Sequence, residues 1–218
     1  MKMKLLTAVA VLAVALGATS MALADTITIS VQYNGGTIVT SGPESGNATI
    51  DFPLTNNVNM GHFTSINVSA TGSGAQPEPA LDSNTIDVTS TGGGTLVIWV
   101  TEQGIGTPVG PSLFDSSFTV NRITPGWSVT ESTSLGGTPL GSATFLAHTF
   151  QPDIFTDITT TAPFSETEKY VIVASGTGQT NDTIDLTGAA VVTPESATLS
   201  LMGMGLLGLL GLRKKRVA

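Results

Sequence analysis

Two histidines, His62 and His148, are the only imidazoles in a chain of 218 residues that contains no cysteine. Neither belongs to an H-x-x-x-H or H-E-x-x-H spacing, the patterns that bring ligands to one helix face for zinc. Without thiols, cysteine nucleophiles, disulfides and iron–sulfur clusters are excluded. Seventeen serines lie in residues 25–193, yet no G-x-S-x-G elbow lifts one toward a base. Glu44, Glu78, Glu102, Glu131, Glu166 and Glu168 could furnish a glycosidase pair, which needs two carboxyls at a set separation. Their spacing selects no two of them. Gly104-Ile105-Gly106-Thr107-Pro108-Val109-Gly110 lacks the G-x-G-x-x-G order, and Pro108 would interrupt a helix start, so this segment reads as a surface turn. These residues predict a body that is not an enzyme and holds no cofactor or metal.

Binding without chemistry has one aromatic candidate. Trp127 follows Pro125-Gly126 in a predicted turn, where its indole would be free to stack on a sugar ring, whereas Trp99 lies inside the apolar run Leu96–Val100 and is expected in the core. The alternative function is therefore a carbohydrate-binding module, with or without calcium. Thr49-Ile50-Asp51-Phe52, Thr85-Ile86-Asp87-Val88 and Thr183-Ile184-Asp185-Leu186 share a T-I-D pattern whose aspartates could meet a cation. No D-x-D-x-D-G loop is present, and alternation places each Asp on a solvent face.

The elements that must carry these residues are strands. Residues 25–193 hold 31 Thr, 17 Ser, 20 Gly and 10 Pro, poor material for helices, and no long window shows a 3.6-residue apolar period. Thr26 to Tyr33 alternates strictly, and half-buried strands are expected at Ala48–Leu54, Phe63–Ala70, Thr85–Ser90, Phe118–Arg122, Trp127–Glu131, Ala143–Thr149 and Thr183–Leu186. Leu96–Val100 and Tyr170–Ala174 are continuous apolar runs that suit central strands covered on both faces. Asn34-Gly35-Gly36, Ser41-Gly42-Pro43, Gly92-Gly93-Gly94, Thr124-Pro125-Gly126 and Gly136-Gly137 punctuate them as turns. About ten short strands without crossover helices predict an all-β fold, an antiparallel β-sandwich or jelly-roll-like body over residues 25–188.

Two apolar segments bracket that body. Lys2 and Lys4 precede an apolar run from Leu5 to Ala18, and Ala22-Leu23-Ala24 offers an A-x-A cleavage site, so residues 1–24 read as a secretory signal peptide. At the other end a linker, 189–196, leads to an apolar run from Ala197 to Leu212 and a basic tail, 213–218. Sixteen residues at about 1.5 Å each are just enough for a single transmembrane helix. Arg213, Lys214, Lys215 and Arg216 would hold its end on the cytoplasmic side. The overall charge of −8 is misleading once these ends are set apart. Residues 25–193 carry fifteen carboxylates against Arg122 and Lys169, a net −13, which argues against nucleic acid as a partner.

Pro194-Glu195-Ser196, the Gly- and Leu-rich run after it and the terminal Arg213-Lys214-Lys215-Arg216 together resemble the tripartite tail of the PEP-CTERM proteins of Gram-negative bacteria. The resemblance implies export across the inner membrane by the secretory machinery and transient anchoring. An exosortase-like membrane enzyme would then recognise and cleave near Pro194 and Glu195, delivering the body to the cell surface or extracellular matrix, often beside exopolysaccharide or biofilm. Ser196 stands where that family usually has its second proline, and an uncleaved, membrane-anchored surface protein is the corresponding alternative. Pro77-Glu78-Pro79 matches the tripeptide too, but Ala80-Leu81-Asp82 follow it rather than an apolar helix, so it reads as a loop.

Overall fold

The computed structural model describes residues 26–41, 43–45, 47–52, 60–73 and 78–191. The alternating run that opens the body forms β1 (Thr26–Tyr33), with Ile27, Ile29 and Val31 fully buried and the residues between them on the other face. Nine more strands follow: β2 (Ile38–Thr40), β3 (Asn47–Phe52), β4 (Phe63–Gly72), β5 (Ala80–Ile105), β6 (Gly110–Ile123), β7 (Ser128–Leu135), β8 (Thr138–Phe145), β9 (Thr149–Thr160) and β10 (Phe164–Ala190). All pair antiparallel in one ten-stranded sheet, and no described residue is helical, so the all-β expectation holds.

Two strands organise the rest. β5 and β10, of 26 and 27 residues, pair from Ile105↔Phe164 to Ala80↔Thr187. Around residues 94–105 and 164–174 the sheet is widened by β1 and β2 on one side and by β7 and β8 on the other. Around 80–90 and 180–190 it is widened by β4 and β3, and by β6 and β9. Ser83 in the second region hydrogen-bonds to Glu168 and Tyr170 in the first. Glu168 pairs with Val100, seventeen residues along β5 from Ser83, or about 55 Å if the strand ran straight. The sheet is therefore folded on itself, its two halves facing like the layers of a sandwich.

The fold line is written in glycine. Gly92, Gly93 and Gly94 of β5 lie opposite Gly176, Ser175 and Ala174 of β10. A Cβ on Gly94 would come 2.7 Å from the Tyr33 ring, and one on Gly92 would come 2.6 Å from the His62 ring. The missing side chains let those rings lie against the backbone where it turns over. Phe63 meets Tyr33 edge-on at 5.9 Å and Trp127 at 6.5 Å, forming an aromatic plug that belongs to the main core. That core continues between the halves through Ile66, Val68, Ile98, Val100, Phe118, Val129 and Ile172, all essentially inaccessible. Each such side chain contributes about 1.5–3 kcal/mol by leaving water. A smaller apolar cluster of Phe114, Leu135, Leu140 and Leu186 sits apart from it.

Several local expectations change. Gly92-Gly93-Gly94 is not a turn between two strands but the bend of one, so Thr85–Ser90 and Leu96–Val100 are parts of β5. Tyr170–Ala174 and Thr183–Leu186 likewise merge into β10. Neither apolar run is covered on both faces: Val97 and Trp99 are half-buried and Val173 is exposed, because their alternate neighbours alone face inward. The turns at Asn34-Gly35 and Gly136-Gly137 do form tight hairpins. Asn34 and all three glycines have positive φ, a region open to glycine and tolerated by asparagine. β10 continues to Ala190, two residues into the stretch read as linker.

Both ends of the described body leave from one place. Thr26 pairs with Gln103 and Ala190 with Ser112, and residues 106–109 join those two partner strands. Val191 N donates to Pro111 O at 3.0 Å. The glycine fold lies at the opposite end of the molecule.

Candidate functional site

The same parity that buries isoleucine and valine buries acids. On β10, Glu166 and Glu168 are in phase with Tyr170 and Ile172, and Asp182 is in phase with Ile184. On β5, Glu102 is in phase with Ile98 and Val100, and on β7, Glu131 is in phase with Val129. All five carboxyl side chains are 0% exposed. Glu166 pairs directly with Glu102, Glu168 with Thr133, and Tyr170 with Glu131. Ser116 and Thr133 join hydroxyls across the interior at 2.7 Å, completing a polar layer beside the smaller apolar cluster.

Few donors reach these acids. Ser83 Oγ donates to Glu168 Oε2, and Thr180 Oγ1 donates to Asp182 Oδ1 at 2.8 Å. Both oxygens of Glu131, both of Glu166, Oε1 of Glu168 and Oδ2 of Asp182 accept no hydrogen bond from the protein. The two basic residues of the body are elsewhere: Arg122 is exposed, and Lys169 lies on the outer face with its Nζ 5.8 Å from the centre of the Trp99 ring. Burial pushes the Glu131 carboxyl up to about 10, with Asp182 adding to it. Burial raises Asp182 to about 8, opposed by the Thr180 hydrogen bond and reinforced by Asp87. Glu166 is raised by burial and then by Glu102, and Glu168 by burial against the lowering effect of Ser83. A carboxyl in such surroundings keeps its proton rather than face the cost of an isolated buried charge. Four of the six glutamates considered for sugar chemistry, Glu102, Glu131, Glu166 and Glu168, are thus shut away from any polymer.

An open site lies on the outer face, near the edge strand β9. A cavity of about 360 Å³ is lined by Glu78, Leu113, Asp115, Phe155 and Thr187 among others. Register builds it: Asp115 on β6 pairs with Thr187 on β10 and with Phe155 on β9. Phe155 is 61% exposed. Burial, then Asp153 and Asp185, holds the Asp115 carboxyl above its ordinary range. The site therefore joins one bare aromatic face to carboxyl groups able to accept hydrogen bonds, a combination suited to a polyhydroxylated ligand.

Trp127, the residue expected to offer a stacking face, is 1% exposed. The turn forms as expected, with Trp127 N donating to Thr124 O at 3.0 Å, but the indole turns inward onto Phe63. Trp99, expected in the core, is half-buried on the outer face. His62 and His148 are both exposed, and no three of the described His, Asp and Glu residues converge as metal ligands. Asp87 and Asp185 point outward as the T-I-D pattern predicts, and Asn181 Nδ2 donates to Asp87 Oδ1 at 2.7 Å. The Asp51 side chain, Pro77, the cleavage residues Ala22 and Ala24, the motif Pro194, Glu195 and Ser196, and the basic Arg213, Lys214, Lys215 and Arg216 lie outside the described residues. Among the described residues no helix is long and apolar enough to cross a membrane.

No protein-family model and no curated protein matches the chain. Among solved structures it is similar to the GH31 alpha-xylosidase (Xac1773) from Xanthomonas citri, at 9% identity and a TM-score of 0.24, over 78% of this chain and 18% of that one. The chain thus spans less than a fifth of that enzyme, and so loose a superposition transfers no chemistry.

Proposed function

We propose that this chain is an exported, non-enzymatic protein of the cell surface or extracellular matrix of a Gram-negative bacterium. In this reading residues 1–24 direct secretion. An exosortase-like enzyme sorts the all-β body through Pro194-Glu195-Ser196, the apolar segment 197–212 and the basic cluster, and the body associates with exopolysaccharide. The observation that carries it is the order of the tail's parts in the sequence. The body is compatible with such handling, since Thr26 and Val191 emerge at one end and would leave the glycine fold pointing away from a membrane. Mass spectrometry of the extracellular protein tests it. The expected product begins near Asp25 and ends near Glu195. A product that retains Leu199 to Arg216 would overturn sorting, and its retention in membranes after carbonate extraction would favour the uncleaved, anchored form.

A second reading, polysaccharide binding, is favoured by the exposed Phe155 beside Asp115 and Glu78. In that reading the ring covers the apolar face of a sugar while the carboxyls meet its hydroxyls. It replaces the buried Trp127 as the stacking residue.

A further inference from the structure

We propose that the acid layer between the two halves of the sheet is a proton-held latch, closed while its carboxyls are protonated and forced open when they ionise. The geometry stands first. Glu131, Glu166, Glu168 and Asp182 are fully buried, and between them six carboxyl oxygens accept nothing from the protein. The layer spans the fold: Glu166 and Glu168 lie on one half of β10 and Asp182 on the other. Any charge that appears there acts across the line along which the halves meet.

The neighbours of each group are themselves acidic or neutral. Glu166 faces Glu102. Glu168 feels the negative charges of Asp82, Asp185 and Glu166, with the hydroxyls of Ser83 and Tyr170 beside it. Glu131 faces Asp182 and is paired with Tyr170. Asp182 has the Thr180 hydroxyl against it and feels the charge of Asp87 through the sheet. Tyr170, flanked by Glu168, Glu131 and Asp182, is itself held protonated by burial. Among the described residues no cation stands with them to stabilise an ionised form, and no three His, Asp or Glu side chains converge as metal ligands. Protons are the neutralising agent that remains.

The sign follows from linkage. In the unfolded chain these carboxyls ionise near about pH 4, whereas in the folded one they hold their protons far higher. Between those limits the folded state binds protons that the unfolded state has released to solvent. Stability is complete below the unfolded value and is lost as pH rises toward about 8 for Asp182 and about 10 for Glu131. Each latched carboxyl makes the unfolding constant rise about tenfold per pH unit in that range. This inverts the usual acid lability of proteins whose carboxylates are salt-bridged.

Urea unfolding of the mature protein from about pH 5 to about pH 9 tests it. The expected result is a midpoint that falls throughout and a linkage slope of more than one proton. Glu131→Gln and Glu166→Gln should each flatten the slope by about one proton and make the variant more resistant than wild type at the alkaline end. A midpoint that is flat or rises with pH overturns the latch. So does a rise with millimolar calcium that Glu131→Gln abolishes, since the neutralising agent would then be a cation. Should the Gln variants not fold, calorimetric unfolding of wild type in two buffers of different ionisation enthalpy counts the released protons directly, and a count near zero overturns the proposal.

Discussion

The hydroxyl oxygens of Ser83 and Tyr170 lie 2.5 Å apart inside the protein, one on the first half of β5 and the other on the first half of β10. Ser83 also donates to Glu168, so a single small side chain ties both halves of the folded sheet together. Ser83→Ala should cost about 1–3 kcal/mol, because it leaves Glu168 and Tyr170 with unmet polar atoms in a dry interior. Tyr170→Phe should cost about 1 kcal/mol, and the double variant less than the sum, since the two share one network. Urea denaturation at fixed acidic pH measures all three, and strict additivity would show that the hydroxyls do not act together.

The glycine fold makes a graded prediction. Gly94→Ala drives a methyl into the Tyr33 ring, which is wedged against Gly61 and Phe63, and should destabilise by about 1–3 kcal/mol. Gly92→Ala meets His62, an exposed side chain that can swing aside, and should cost less. Gly176→Ala meets nothing within 4 Å and should be neutral or stabilising by up to about 1 kcal/mol, through the unfolded chain. Melting temperatures should fall in that order; equal losses at all three would mean that the bend needs flexibility rather than space.

The two tryptophans have exchanged their expected roles. Trp127→Ala opens the aromatic plug and should cost about 3–5 kcal/mol. Trp99→Ala removes only a half-buried outer ring and its contact with Lys169, worth about 0.5–1 kcal/mol. A Trp99 variant that unfolds while a Trp127 variant keeps its melting temperature would contradict the packing described.

Phe155→Ala separates binding from stability. Its ring is mostly in solvent, so thermal stability should move by no more than about 0.5 kcal/mol. If a polysaccharide occupies the groove, retardation of the protein in gels containing the native polymer should drop with this substitution and with Asp115→Asn. Unchanged migration in the presence of polymer would remove the groove as a binding site.

Much of this could be read along the chain. Thr26 to Tyr33 alternates so regularly that β1 and its buried face follow directly, as do the hairpins at Asn34-Gly35 and Gly136-Gly137. The bend at Gly92-Gly93-Gly94 looks like a turn because its partner, Gly176, lies more than eighty residues away and only pairing brings them together. Trp127 follows a turn, but which way an indole points from the residue just before a strand depends on the Phe63 ring waiting for it. The buried acids carried a signal that went unused. Glu166 and Glu168 share the parity of Tyr170 and Ile172, as Glu131 shares that of Val129 and Glu102 that of Val100. Treating carboxylates as surface groups by default concealed it, because the cost of burying charge vanishes once a proton is kept.

The last strand of the chain is also its keystone. β10 lies between β5 and both β6 and β7, so the β7–β8 pair has no strand to join until residues 166–173 exist, the β6–β9 pair none until residues 180–190 exist, and one edge of β5 stays open until then. A chain emerging N-terminus first cannot close this body piecemeal. The strands up to β5 can pair with one another earlier, but the two halves of the sheet close on each other only as β10 arrives.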